Sequence, residues 1–353
     1  MGKRLTILLY GNFGSDWYLG SSYWRAFEKQ GHKVIPFEGQ RASKFLSPWL
    51  CNRIVHRLTI RNLSMRRLGA RRWNAYFLET VRQAKPDLVF ILNGDFLMPE
   101  TLAEVRLCGI PVFVFHADNP FPPYPNHRPE LLPCGLECDC YFIWSRLLVN
   151  HLEQMGIRRV EYLPFAWDAE IFPYQQMPAK PDYDYDLLFI GNWSKERETL
   201  LTPLSKRYKL AIWGPDYWGK RTRAASPLRK CWRGKTLTGK EAAEMLRKTR
   251  IALNVLNEHN LPDGVNMRNF ELAGCGAFSL ATRTEGALGI FPEGLAGAYF
   301  STHDELREQI DYYLHNDKKR QDMVEEAHAI VAGEHTYLHR VQKIISVYKR
   351  DFS

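Results

Sequence analysis

The 353-residue sequence predicts an α/β chain of two Rossmann-like domains, and three observations carry that prediction. Short apolar runs alternate with longer helical patterns, the mark of parallel sheets covered on both faces. The alternation pauses over residues 165–182, a proline-rich stretch, and then restarts for a similar length. The length suits two domains, and 45% hydrophobic residues are enough for two cores.

Taken in order, Leu5–Tyr10 is the first strand, followed by the glycine loop Gly11-Asn12-Phe13-Gly14 and a helix near Ser21–Gln30 that Gly31 stops. His32–Phe37 is the second strand. A helix ends at Lys85-Pro86, then Leu88–Leu92 is a strand, Glu100–Leu107 a helix, and Val112–Phe115 and Tyr141–Trp144 further strands. After the pause, Leu187–Ile190, Leu210–Trp213, Ile251–Leu256 and Ala277–Ala281 are strands. Lys240–Lys248, Arg268–Ala273, His303–Leu314 and Lys318–Ala332 are helical. The expected domains are residues 1–170 and 171–335, with 336–353 a final helix returning to the first domain. Ligands of such sheets sit beyond the carboxyl ends of the strands, so the loops after strands are the places to look, here across a cleft between the domains.

Composition excludes disorder, collagen-like structure and small disulfide scaffolds. No run reaches the length of a transmembrane helix. The apolar stretch before Gly11 is too short for a signal peptide. Gly2 and Thr6 fit a loose myristoylation pattern, but the segment reads better as a strand. Seven cysteines, an odd number, suggest a reducing compartment, and the expected location is cytoplasmic, with peripheral contact at the inner face of the membrane. Cys134, Cys138 and Cys140, with His127 upstream, lack a usual zinc spacing and read as reduced thiols.

The 48 basic and 39 acidic residues leave a net charge of +9, and that excess has an address. Arg41, Lys44, Arg53, Arg57, Arg61, Arg66, Arg67, Arg71 and Arg72 fall in a stretch with no Asp or Glu. Arg53, Arg57 and Arg61 recur every four residues, one stripe on a helix. A localised excess points to an anionic partner, although a solvated helix face reads the same way.

Three segments can carry chemistry. In Asp263-Gly-Val-Asn266-Met-Arg268-Asn-Phe-Glu271, a carboxylate at a helix start suits two ribose hydroxyls and Arg268, one turn earlier, suits phosphate; the plain alternative is a helix ion pair. The run Ala273-Gly274-Cys275-Gly276-Ala277 suits close helix–strand packing. In Ile190-Gly191-Asn192-Trp193-Ser194-Lys195-Glu196-Arg197, a glycine closing a strand lets its loop approach a phosphate, with helix-start amides and Arg197 stabilising a diphosphate. Asp118, in Phe115-His116-Ala117-Asp118-Asn119-Pro120, falls just past a strand, where a fixed carboxylate can face a cleft, though Asp is also an ordinary turn residue. Asp182, Asp184 and Asp186 resemble an Asp-x-Asp metal motif but precede a strand, and no metal is expected there.

These segments resemble GT-B-fold glycosyltransferases, most closely the spore-maturation CgeB family of the broad group-1 type. The resemblance runs through PDLVFILNGDFLMPETLAEVRLCGIPVFVFHADNP, LLFIGNWSKERETLL, VNMRNFELAGCGAFSLATRTEG and GEHTYLHRV. It implies a nucleotide-sugar donor, with UDP first, on the C-terminal domain and an acceptor on the N-terminal one. Glu271 then holds ribose, Arg268 and Arg197 the phosphates, and Gly214 borders the nucleobase, with Gly191, Asn192 and Asn266 beside them. Asp263 stands where group-1 enzymes have a paired Glu. Asn12, Gly14, His116 and the Arg53, Arg57, Arg61 stripe fall to the acceptor. A more distant likeness to phage DNA β-glucosyltransferases makes Asp118 the general base of an inverting transfer, whereas the group-1 likeness implies retention.

The expected function is therefore a sugar transfer needing no metal and no cofactor beyond its donor. The acceptor is anionic: a glycan, a lipid-linked saccharide or DNA. The rival readings are a phage-type DNA-modifying glucosyltransferase and a non-catalytic sugar-nucleotide or nucleic-acid binding protein of the same fold.

Overall fold

The computed structural model describes residues 3–39, 63–121, 131–176, 178, 181–256 and 261–352. The chain divides into two compact units, Met1–Pro164 together with Arg340–Ser353, and Phe165–His339. Each is a parallel sheet with helices, the two-domain α/β architecture expected.

In the first unit the strands are β1 (Thr6–Gly11), β2 (Lys33–Glu38), β3 (Leu88–Leu92), β4 (Val112–His116), β5 (Cys140–Ile143) and β6 (Val160–Tyr162). They pair in parallel in the order β2-β1-β3-β4-β5-β6. The chain runs outward from β1 to β2 and returns to β3 on the other side, so the sheet's switch point lies between β1 and β3. The helices are α1 (Leu19–Lys29), α2 (Leu63–Ala84), α3 (Pro99–Leu107), α4 (Leu131–Leu136) and α5 (Arg146–Gln154). β3 and β4 are buried at every position, which is why they read as continuous apolar runs rather than alternating ones. The core is aromatic: Tyr10 stacks on Phe37 and meets Trp73 and Phe77 edge-on, while Phe27 and Tyr23 close on Phe90.

The second unit contains β7 (Tyr185–Ile190), α6 (Lys195–Leu204), β8 (Leu210–Trp213), α7 (Tyr217–Arg221), α8 (Leu228–Cys231), α9 (Gly239–Arg247) and β9 (Thr249–Asn254). It continues through α10 (Met267–Cys275), β10 (Ser279–Thr282), α11 (Glu285–Ile290), β11 (Ala298–Phe300), α12 (His303–Leu314) and α13 (Asp317–Glu334). The parallel order is β11-β10-β9-β7-β8. Counted from each unit's first strand, both sheets therefore begin 2-1-3-4-5. The switch point here lies between β7 and β9.

A last helix, α14 (Tyr337–Phe352), counts with the first unit from Arg340 on. Arg340 Nε donates to Pro164 O at 2.7 Å, Lys343 Nζ to Tyr162 O at 2.8 Å, and Val341, Ile344 and Ile345 are buried. The proline-rich stretch is not a free tether. Trp167 is buried, donating from Nε1 to Phe172 O at 2.7 Å and from its backbone N to His335 O at 2.8 Å.

Strand bounds differ from the sequence reading by one to two residues at every expected strand but β3 and β8, and β6 and β11 are strands it did not contain. Both are three residues long at a sheet edge, too short to show a period.

Candidate active site

The second unit gathers its candidate residues at the carboxyl ends of β7, β8 and β9. Ser194 caps α6, its Oγ accepting from the Arg197 backbone N at 3.3 Å, so Arg197 sits in the helix's first turn. Its guanidinium is buried and spans the switch point: Nη1 donates to Asn192 O after β7 at 3.1 Å, and Nη2 to Val255 O after β9 at 2.7 Å. Nε has no hydrogen-bond partner, and no carboxylate lies within ion-pair distance, among the described residues. Burial lowers its pKa from 12.5 to about 10, so it stays charged at neutral pH. A buried cation with no carboxylate in ion-pair contact, and Glu196 only partly offsetting its burial, is costly and is relieved by an anion.

Gly191 and Gly214 are in contact. A Cβ on Gly214 would stand 2.2 Å from Gly191 O and 2.7 Å from Trp218 Nε1. Trp218 Nε1 donates to Gly191 O at 2.9 Å and Trp232 Nε1 to Gly214 O at 3.0 Å, so two indoles fix both loop starts. Gly214 thus has a packing reason to be glycine, whatever it borders. Asn192 is exposed.

Asn266 caps α10 in a reciprocal capping box with Asn269 and exchanges two hydrogen bonds with Asn254 at the end of β9, at 3.1 and 3.0 Å. Its side chain is occupied by the fold, which differs from the ligand contact expected of it. Asp263 is buried in a segment fixed from α11: Thr284 Oγ1 donates to Gly264 O at 2.6 Å and Glu285 N to Pro262 O at 3.0 Å. Arg268 Nη1 lies 2.8 Å from Glu271 Oε2, off the line a hydrogen bond needs. Burial raises the Glu271 pKa and Arg268 partly restores it. The helix ion pair is therefore present. Within the small-residue run, Gly274 also serves a neighbour outside the following strand: a Cβ on it would fall 2.2 Å from Trp167.

In the first unit Asp118 follows β4 and is half-buried. Asn93, just after β3, accepts from Ala117 N through Oδ1 at 2.8 Å, and Trp144 Nε1, after β5, donates to Asp118 O at 3.3 Å. The main chain of the Asp118 loop is thus held from the strands on either side. Asn93 (φ 62°) and Phe96 (φ 69°) adopt left-handed backbone. Asn74 steadies that turn, donating to Phe96 O at 2.8 Å and accepting from Met98 N at 2.9 Å. Strain of this kind concentrates at functional turns. Sequence reasoning missed Asn93, although Asn93-Gly94 directly after an apolar strand is the available signal.

His116 differs from expectation. It is 2% exposed, beside the Tyr141 ring at 6.3 Å, and neither ring nitrogen has a hydrogen-bond partner among the described residues. Burial lowers its pKa to about 4. It ends β4, two residues before Asp118, and its ring is enclosed by the fold rather than offered at the surface. Asn12 and Gly14 are exposed. Arg53, Arg57, Arg61 and His127 lie outside the described residues.

Asp186 supports the fold, accepting from Lys209 N at 2.9 Å and facing Arg250 at 3.8 Å. Cys134, Cys138 and Cys140 are buried free thiols. No group of three metal-ligating side chains occurs among the described residues. The sequence reading also passed over a second basic stretch: residues 217–240 contain Lys220, Arg221, Arg223, Arg229, Lys230, Arg233, Lys235 and Lys240 and no acid.

Residues 196–346, spanning α6, Arg197, α10, Arg268 and Glu271, match the family model described as glycosyl transferase-like. The chain is an enzyme of the glycosyltransferase type. Solved structures with this fold include a sucrose-phosphate synthase from Thermosynechococcus elongatus, at TM-score 0.70 and 12% identity over 99% of both chains. A glycosyltransferase from Rickettsia africae ESF-5 matches at TM-score 0.67 and 13% identity over 100% of both chains. Anabaena Alr3699/HepE, solved in complex with UDP-glucose, matches at 0.63 and 13% over 98% of this chain and 100% of that one. The likeness shows a shared fold, two parallel-sheet Rossmann-like α/β units of the GT-B type. No curated protein sequence matches the chain.

Proposed function

We propose that this glycosyltransferase moves a sugar from a nucleotide-sugar donor, first of all a UDP-sugar, to an acceptor hydroxyl without a metal ion. The donor's diphosphate sits on the second unit and the acceptor on the first. Arg197 is the observation that carries this reading: a buried guanidinium, held by two carbonyls across the switch point, at the start of a capped helix. Arg268 adds a second charge, and Glu271 accepts from the ribose hydroxyls. HepE's complex with UDP-glucose makes UDP the first base to try.

Asp118 takes the acceptor proton while the acceptor oxygen bonds to the anomeric carbon. The bond from that carbon to the diphosphate breaks, and the leaving charge falls to Arg197, Arg268 and the helix-start amides. Direct displacement inverts the anomeric centre. The test is incubation with UDP-, GDP-, dTDP- and CMP-sugars, following released nucleotide and the anomer formed. One donor is expected to be turned over, slowly by water and faster with a suitable acceptor, with inversion. Turnover of none refutes the transferase reading, and retention refutes the role given to Asp118.

A further inference from the structure

The loop between β1 and α1 presents an aromatic ring that the fold does not use. Trp17 is 42% exposed, and the half-buried Tyr18 meets it edge-on at 4.5 Å. The loop beneath is rigidly built. Glu38 Oε2 accepts from Phe13 N at 3.0 Å, Ser21 Oγ donates to Ser15 O at 2.9 Å, and Arg25 Nη2 donates to Asp16 O at 2.8 Å. Phe13 packs edge-on to Trp24, and a Cβ on Gly20 would stand 2.5 Å from Asn12 O. A large ring held out to water on a stiff, polar-rimmed support suits stacking on a flat apolar face.

Its place in the sheet says which ligand. The Trp17 and Asp118 loops leave the same sheet edge, from β1 and β4, with β3 between. The ends of β1 and β4 lie two strand spacings, about 10 Å, apart along that edge, close enough for one chain of sugars to meet both loops. We infer that Trp17 is a platform for a sugar ring of an oligosaccharide acceptor, away from the hydroxyl that reacts at Asp118. The C–H face of a pyranose supplies the flat apolar surface that an indole covers, and the rim of Asn12 and Asp16 meets its hydroxyls. The inference rests on the transferase reading above and adds that the acceptor is a chain of sugars rather than a single one.

The experiment is calorimetric titration of the UDP-saturated protein with glucose, cellohexaose, maltohexaose, chitohexaose and a hyaluronan hexasaccharide. At least one hexamer is expected to bind about tenfold or more tighter than glucose. Trp17→Ala removes most of that advantage and Trp17→Phe keeps most of it. In both variants UDP affinity and melting temperature match the wild type. If UDP binds but no hexamer outbinds glucose, or if Trp17→Ala binds the hexamer as before, the platform is overturned while the donor reading stands. If neither UDP nor any other nucleotide sugar binds, the underlying reading fails and this one with it.

Discussion

Arg197 does two things at once, and they separate in experiment. Arg197→Met leaves Asn192 O and Val255 O without their donor, which destabilises the second unit by about 1–3 kcal/mol. It also removes the diphosphate's nearest buried charge, so UDP affinity falls by about tenfold or more. Urea unfolding and calorimetry read the two separately; a loss of stability with UDP affinity intact would make Arg197 a purely structural residue. His116 gives a pH signature. Its folded pKa, about 4, lies below the ordinary 6.5, so between those values the unfolded chain takes a proton that the folded one refuses. Stability therefore falls as pH drops from 6.5 towards 4, by up to about 3 kcal/mol. His116→Phe is expected to flatten that part of the melting-temperature curve between pH 4 and 7. Arg197, Arg268 and Glu271 drew attention in the sequence as charges near helix starts, and the structure puts Arg197 in the first turn of α6 and pairs Arg268 with Glu271 along α10. Arg197's bond to Val255 was not legible there, since it joins residues 58 positions apart. The burial of His116 was hidden for a similar reason: a polar residue at a strand end reads as a loop residue until its neighbours are known.

At the scale of elements, the strands followed by glycine were the plainest signals, because their apolar runs are buried on both faces. What the runs did not reveal is why the glycines are there. Gly214 lies against the carbonyl of Gly191, so Gly214→Ala forces β7 and β8 apart at their carboxyl ends. Overpacking of this kind costs about 1–3 kcal/mol, and a lower melting temperature is expected even without ligand. A variant that melts like the wild type but no longer binds UDP would instead assign Gly214 to the nucleobase. The run Ala273–Ala277 was readable as a close approach, but its partner was not: Trp167 comes from a stretch whose prolines suggest a linker. Asn266 illustrates the opposite error. Its position beside Arg268 suggested a ligand contact, yet an Asn before a helix is first of all a cap.

For the whole molecule, the two-unit plan was visible in the alternation of runs, and the repeated 2-1-3-4-5 order was not, because strand order depends on pairing across long separations. The return of residues 340–353 to the first unit carries a buried apolar face, Val341, Ile344 and Ile345, that gives α14 its place. The charge excess has a second site at residues 217–240, so an anionic partner need not be confined to the first unit. The proposed base is Asp118, whose loop Asn93 and Trp144 hold from neighbouring strands. Its most direct test compares Asp118→Asn with the wild type, measuring UDP affinity by calorimetry and sugar transfer by product formation with the best donor and acceptor. UDP affinity is expected within about twofold of the wild type, and the rate of transfer at least ~100-fold lower. Transfer at the wild-type rate would contradict that role for Asp118.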